Sequence, residues 1–356
     1  EGLWVSADTG DTWEQIYVDS SNTTAANRRN VVWGLDALAD TLRVGTDSGL
    51  VTLYLAPNGD IDSTRFDVFD ETAFTSGTRV LDVFTQQFLD TLGNYDSLAV
   101  WTIDRALTAS GAPSVHRGTL DTLADVPSPG DTLIRWIYVP YQQNVRTNDI
   151  EILGDTVMAM GHSGMRWSAD GSNPSMIYYV RDSTSAVRFD NDTITVMAVL
   201  GDTAFVGSNN GFAITHALDS TFNRTHHKIF RPNLDSLAAD FVVTHSPLSS
   251  ALQIPGSFIP AMGLQVVDGD PYARIWLACL PGAGLVPGQA GLSVGRFRQV
   301  DTTGRVDLVW DSVFNGESAW NFAFNGDTVF AAGDSAGVLV SIDGEVFEWD
   351  TIPMVD

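Results

Sequence analysis

One cysteine in 356 residues excludes any internal disulfide framework, so this chain must hold itself together by burial alone. That residue, Cys279, shares a strand face with Ile275 and Leu277 and reads as a small buried hydrophobe, not a nucleophile. Lysine is nearly as scarce: Lys228 stands alone, and the other cations are arginines. With 44 acids against 19 bases the net charge is −25, which excludes phosphate-neutralising clusters of the kind nucleic acids require. The same charge is repelled by anionic lipid surfaces. Apolar runs stop short of the ~18–20 residues a membrane helix needs. A basic-then-apolar leader is missing, and so is an initiator Met, so Glu1 is expected to be a processed or internal start. Helix-period segments and capping boxes are almost absent, which weakens any α/β reading.

What is present points to strands. Hydrophobic residues make up 44% of the chain, with ten Trp and eighteen Phe, enough to bury a core and to exclude disorder. A phrase recurs: Asp-Thr, alternating apolar residues, a Gly, then a second strand led by Gly. It runs Asp40-Thr41 to Gly45 with Gly49-Leu50-Val51, and Asp155-Thr156 to Gly161 with Gly164-Met165. It returns as Asp202-Thr203 to Gly207 with Gly211-Phe212, and Asp327-Thr328 to Gly333 with Gly337-Val338. Weaker copies are Asp96-Ser97 to Trp101 and Ala273 to Ala278.

Apolar segments flank each copy, giving four strands per unit, and the anchors recur every ~50–60 residues, the scale of a propeller blade. The expected fold is all-β, a single β-propeller of seven four-stranded blades, at roughly 1–19 (partial), 30–70, 78–120, 131–182, 190–232, 238–313 and 318–353. The first blade is expected to be incomplete. Glu1-Gly2-Leu3-Trp4 aligns with the Gly-led strands, so upstream residues would have to supply its two inner strands.

Residues 6–13 read Ser-Ala-Asp-Thr-Gly-Asp-Thr-Trp after a short apolar strand. This segment resembles the Asp-box of the sialidase-like, sortilin-like and photosystem-assembly-factor-like propellers, also called the BNR repeat. The resemblance implies that Ser6 and Asp8 bond the turn backbone, Gly10 takes a positive φ and Trp13 packs beneath. Degenerate copies, Ser168-Ala169-Asp170-Gly171 and Ser341-Ile342-Asp343-Gly344, fall in phase with the repeat. The motif identifies a blade and not a chemistry. Sialidases need an arginine triad opened by Arg-Ile-Pro, whereas the nearest segment here is Arg231-Pro232, without the Ile and late in the chain.

No residue pattern supports catalysis, so no catalytic residue and no cofactor is expected. Asp-box glycoside hydrolases set two carboxylates across a cleft, but most acids here sit in the repeating turns. Asp190 and Asp192, and Asp268 and Asp270, stand apart. They are weak candidates for a structural calcium, lacking EF-hand spacing, with turn acids as the simpler reading. His226-His227 would point to opposite strand faces and cannot converge on zinc.

Two apolar stretches break the polar-loop rule: residues 247–267, with Leu252, Ile254, Phe258, Ile259 and Met262, and residues 281–288, with Leu285 and Val286. They either fold back over the propeller or form a docking surface for another protein. A smaller candidate for sugar stacking is Val126-Pro127-Ser128-Pro129 with Trp136, Tyr138 and Tyr141. The leading expectation is a non-catalytic, exported (periplasmic or extracellular) scaffold, a protein-interaction module within a larger or membrane-associated assembly. The alternative is a carbohydrate-binding or glycoside-hydrolysing propeller.

Overall fold

The computed structural model describes residues 3–5, 12, 14–19, 28–57, 61–66, 78–89, 92, 95–106, 114–120, 135–139, 147–153, 156–161, 164–168, 176–178, 193–200, 203–209, 211–216, 227–230, 254–256, 258–267, 269–281, 290–299, 306–333, 337–341 and 350–352. They form two compact units, one of Glu1–Ala159 with Arg166–Met176, the other of Met160–Met165 with Ile177–Asp356.

The strands follow one another as meanders. A two-stranded sheet pairs β1 (Leu3–Val5) with β2 (Glu14–Ile16). Next come β3 (Val32–Leu38), β4 (Thr41–Thr46), β5 (Gly49–Leu55) and β6 (Ile61–Phe66), in that spatial order. A second four-stranded sheet holds β7 (Thr78–Leu89), β8 (Tyr95–Ala106), β9 (Ser114–Leu120) and β10 (Arg135–Val139). The third is β11 (Thr147–Leu153), β12 (Thr156–Gly161), β13 (Gly164–Ser168) and β14 (Met176–Tyr178). The fourth is β15 (Ile194–Leu200), β16 (Thr203–Ser208), β17 (Gly211–His216) and β18 (His227–Phe230). The fifth is β19 (Phe258–Val266), β20 (Ala273–Leu280), β21 (Gly291–Gln299) and β22 (Val306–Asn315). The sixth is β23 (Ala319–Asn325), β24 (Thr328–Gly333), β25 (Val338–Ser341) and β26 (Asp350–Ile352). The chain is thus nearly all β, built from small sheets of consecutive strands.

The repeating phrase builds the middle of each sheet. Its Gly leads the third strand because the turn before it needs a left-handed backbone: φ is 105° at Gly49, 131° at Gly211 and 83° at Gly337. The preceding hydroxyl closes the same turn twice, Thr46 Oγ1 donating to the Gly49 carbonyl at 2.9 Å and Ser208 Oγ to that of Gly211 at 3.1 Å. A second regularity was hidden in the sequence. The first strand carries a ladder irregularity near its start in five sheets, at Val32/Gly34, Val80/Asp82, Ile194/Val196, Phe258/Ala261 and Ala319/Phe322.

Successive sheets within each unit pack through their first strands. In the first unit Gly34 and Gly45 leave room for β7, since a Cβ on either would come within 3.0 Å of Asp82 or Val80. Trp101, Ile103 and Val115 share a core with Ile150, Val157 and Ala159. In the second unit Phe205 meets Phe297 edge-on at 4.9 Å inside a core with Ile259 and Ile275. Trp276 and Leu292 join Val329 and Ala331 in the next layer.

Two expected boundaries shift. β10, expected to open the unit at 131–182, instead completes the second sheet by pairing with β9. Among the described strands the fifth sheet opens at β19, within the stretch expected to be an apolar loop. Proline misled that reading: Pro260 sits in the irregularity between Phe258 and Ala261, where the ladder is already interrupted.

Candidate functional site

Asp47 lies in the turn between β4 and β5, and its amide donates to the Val31 carbonyl at 3.0 Å. That anchor presents its carboxylate to the start of β3. The Trp33 indole donates to Oδ1 at 2.7 Å, Arg28 donates to Oδ2 at 3.2 Å, and Arg79 on β7 forms an ion pair with Oδ1. Arg79 also lies over the Trp33 ring, its guanidinium carbon 4.6 Å from the centroid. Burial pushes the Asp47 carboxyl up, but the bonds from Trp33, Arg79 and Arg28 outweigh it and hold the group below the ordinary carboxylate range. Trp33 is therefore fixed by two neighbours yet remains 49% exposed, and Leu35, two residues on, is 52% exposed.

Beside this platform β3 and β7 each contribute a half-buried carboxylate, Asp36 and Asp82. Burial pushes the Asp82 carboxyl up to about 7; the Val83 amide, donating at 2.9 Å, opposes this and the charge of Asp36 reinforces it. One oxygen of Asp36 is buried with no hydrogen-bond partner. Two neighbouring carboxyls, one with its protonated form favoured by burial, are the raw material of general acid–base chemistry. Neither residue stood out in the sequence. The available signal was a carboxylate in the middle of an apolar first strand, as in Leu35-Asp36-Ala37 and Leu81-Asp82-Val83.

A third cluster is internal. His116 Nδ1 and Asp104 Oδ2 are 2.5 Å apart, both residues are buried, and Thr102 donates to the same oxygen at 3.5 Å. Burial holds Asp104 above its ordinary range against the pull of His116. The pair stabilises the β8–β9 ladder, where Thr102 and His116 sit opposite each other.

The residues expected from sequence fall differently. Ile254, Ile259 and Met262, expected on a docking loop, are buried in the core of the second unit with Phe205 and Phe212, and Phe258 is half-buried. This corrects the expectation: once residues 258–266 form a strand, their apolar side chains pack against the neighbouring sheet. Leu252, Leu285 and Val286 lie outside the described residues, as do Ser6, Asp8, Gly10 and Trp13 of the box and Asp190, Asp192 and Asp268. Asp270 serves its own turn, accepting from the Tyr272 amide at 2.9 Å while its amide donates to the Val267 carbonyl at 3.0 Å. Among the described residues no group of three acids, His or Cys could hold a metal ion. No helix among them is long and apolar enough to cross a membrane.

No protein-family model matches this chain. No curated protein matches it either. Among solved structures it is similar to the extracellular domain of a protein described as a one-component system of B. thetaiotaomicron. That likeness has 14% identity over 91% of this chain and 34% of the other, with a TM-score of 0.47. It is similar also to PorZ, a surface component of the type-IX secretion system of Porphyromonas gingivalis, at 13% identity over 92% of this chain and 38% of the other, TM-score 0.40. A third likeness is to a Bacteroides fragilis protein described as a 6-phosphogluconolactonase, at 11% identity over 91% and 84%, TM-score 0.47. The chain spans just over a third of the length of the first two.

Proposed function

We propose that this chain is a non-catalytic, exported interaction scaffold. Its architecture is a seven-bladed propeller of the Asp-box type. The observation that carries the reading is the first strand β3. Trp33, clamped by Asp47 and Arg79, and Leu35 beside it stand half-exposed on a chain of net charge −25. Large apolar side chains held rigid and left in solvent favour a protein partner, because little conformational entropy remains to be lost on docking. The partner is another protein or a larger assembly, no cofactor takes part, and any calcium has a structural role only.

The test is the mass of the native particle, purified from its source without overexpression and measured by size-exclusion chromatography with light scattering. The scaffold reading expects a particle heavier than one polypeptide. A monomer contradicts it.

Asp36 and Asp82 favour a second reading, binding or hydrolysis of a polysaccharide beside Trp33, with Asp82 as proton donor. Reducing-sugar release from a polysaccharide panel, lost in Asp82→Asn, would establish it. An inactive wild type across the panel would remove it.

A further inference from the structure

Two carboxyls meet where the first two four-stranded sheets touch. A Cβ on Gly34 would stand 2.6 Å from the Asp82 Cα and 2.7 Å from Asp82 Oδ1, so that carboxyl rests against β3. Asp36 lies two residues along the strand, beyond its ladder irregularity, and shares the side of β3 that Gly34 turns to β7. Two anomalies coincide there. Oδ2 of Asp36 is buried without a hydrogen-bond partner. Burial holds the Asp82 carboxyl up at about 7, although its Oδ1 already accepts from the Val83 amide.

The surrounding elements carry other charges, each with its own engagement. From β4, Arg43 stands opposite Asp36, is buried, and donates to Thr85 of β7 at 2.9 Å. β5 brings Tyr54 and no charge. Within β7, Arg79 is paired with Asp47. On β8, Asp104 stands opposite Val80 and is bound to His116 of β9, Arg105 stands opposite Arg79, and Asp96 lies at the far end near Leu89. β11 brings Asp149, which accepts from the Ile150 amide at 2.8 Å, and Glu151. Among the described residues the charge of Asp36 is the only one that moves the Asp82 carboxyl. The joint also supports the platform beside it. Arg79, three residues before Asp82, lies over Trp33, so Trp33 keeps this clamp only while β7 stays against β3.

We infer that Asp82 donates its proton to Asp36 Oδ2, and that this bond is a pH-operated latch closing β7 on β3. One hydrogen then answers both anomalies, the orphaned acceptor and the retained proton. The step is a proton release alone: on opening, the Asp82 O–H gives its proton to water and two carboxylates face each other across the seam. The closed seam binds the proton and the open seam releases it, so closure is strongest in acid and weakens as pH rises towards 7. Opening takes Arg79 off Trp33, so a partner seated there is held in mild acid and shed in mild alkali. The inference rests on the scaffold reading and adds the regulation of its site.

Hydrogen exchange of the full chain, read by mass spectrometry at pH 5.5 and 8.5 and corrected for the intrinsic rate, tests the latch. With rising pH, protection of Val32–Leu38 should fall at least about tenfold relative to that of Ala273–Leu280 in the fifth sheet. Asp82→Asn keeps a donor at every pH, so the fall should vanish, whereas Asp82→Leu has none and should be open at both. An unchanged ratio in wild type, or the same fall in Asp82→Asn, overturns the latch. Light scattering on the native particle at the same two pH values tests its control of docking. Loss of the partner at pH 8.5, prevented by Asp82→Asn, supports that control, and a particle intact at both overturns it. A wild type monomeric at pH 5.5 removes the scaffold reading instead, and the exchange result alone then decides the latch.

Discussion

Trp276 donates from its indole nitrogen to Gln265 Oε1 at 3.0 Å, and Gln265 in turn donates from Nε2 to the Gly326 carbonyl at 2.6 Å. The second strand of the fifth sheet is thereby tied to its first strand, and that strand to the turn opening the sixth sheet's second strand. An equal bond joins Trp101 to Gln86 in the second sheet, at 3.0 Å and also buried. In both cases the Gln stands two residues beyond the partner directly opposite the Trp, Phe84 for Trp101 and Gly263 for Trp276.

Replacing Gln265 by Leu keeps the volume but strands the indole N–H and the Gly326 carbonyl. Unpaired buried groups cost about 1–3 kcal/mol, so the urea midpoint should fall accordingly, and Gln86→Leu, which strands the Trp101 indole, should lower it as well. Unchanged midpoints for both would show that water replaces the bonds.

Gly34→Ala places a methyl 2.6 Å from the Asp82 Cα and 3.0 Å from the Leu81 carbonyl oxygen, both backbone atoms that cannot rotate away. The first two four-stranded sheets must separate, at a cost of about 1–3 kcal/mol or more. Gly269→Ala meets no atom within 4 Å and carries only the strain of φ +86°, about 1–2 kcal/mol. Denaturation of the two variants side by side should rank Gly34→Ala the more destabilised.

The carboxyl of Asp82 keeps its proton to about pH 7 when folded, against a reference value of 3.8. Between those values the folded state binds more protons than the unfolded, so this group's contribution to stability is greatest in acid and declines as pH rises towards 7. Asp47 works the other way: its lowered value adds stability above the ordinary carboxylate range that is lost in stronger acid. Asp82→Asn should therefore flatten the decline from pH 4 to 7, gaining on the order of 1–3 kcal/mol over wild type at pH 8. Parallel curves for the two proteins would refute the assignment.

Cys279 is fully buried, and burial pushes its thiol up to about 12. Thiol reagents at pH 8 should leave the folded chain untouched and label it stoichiometrically in denaturant, because the thiolate is the reactive form. Labelling of the native protein at the rate of a free thiol would contradict this placement.

The strands were legible because the Asp-Thr phrase, with its alternating apolar residues and left-handed Gly49, Gly211 and Gly337, is local chemistry. The first strands were harder. Pro260 disguised β19 as a loop, and the irregularity that accommodates it is defined only against the facing strand. The site was less legible still. Trp33, Asp47 and Arg79 come from three separate segments, and nothing in their local sequence announces that they meet. Ile254, Ile259 and Met262 erred in the other direction: apolar residues without charge read as an exposed patch until a strand partner appears.

The half-exposed Trp33 and Leu35 of β3 are the proposed seat of a partner protein. Light scattering on the native particle, for wild type and for Leu35→Asp expressed at the natural level, tests it most directly. The expected result is a wild-type particle heavier than one polypeptide and a Leu35→Asp protein that is folded and monomeric. A wild type that is already monomeric would contradict it.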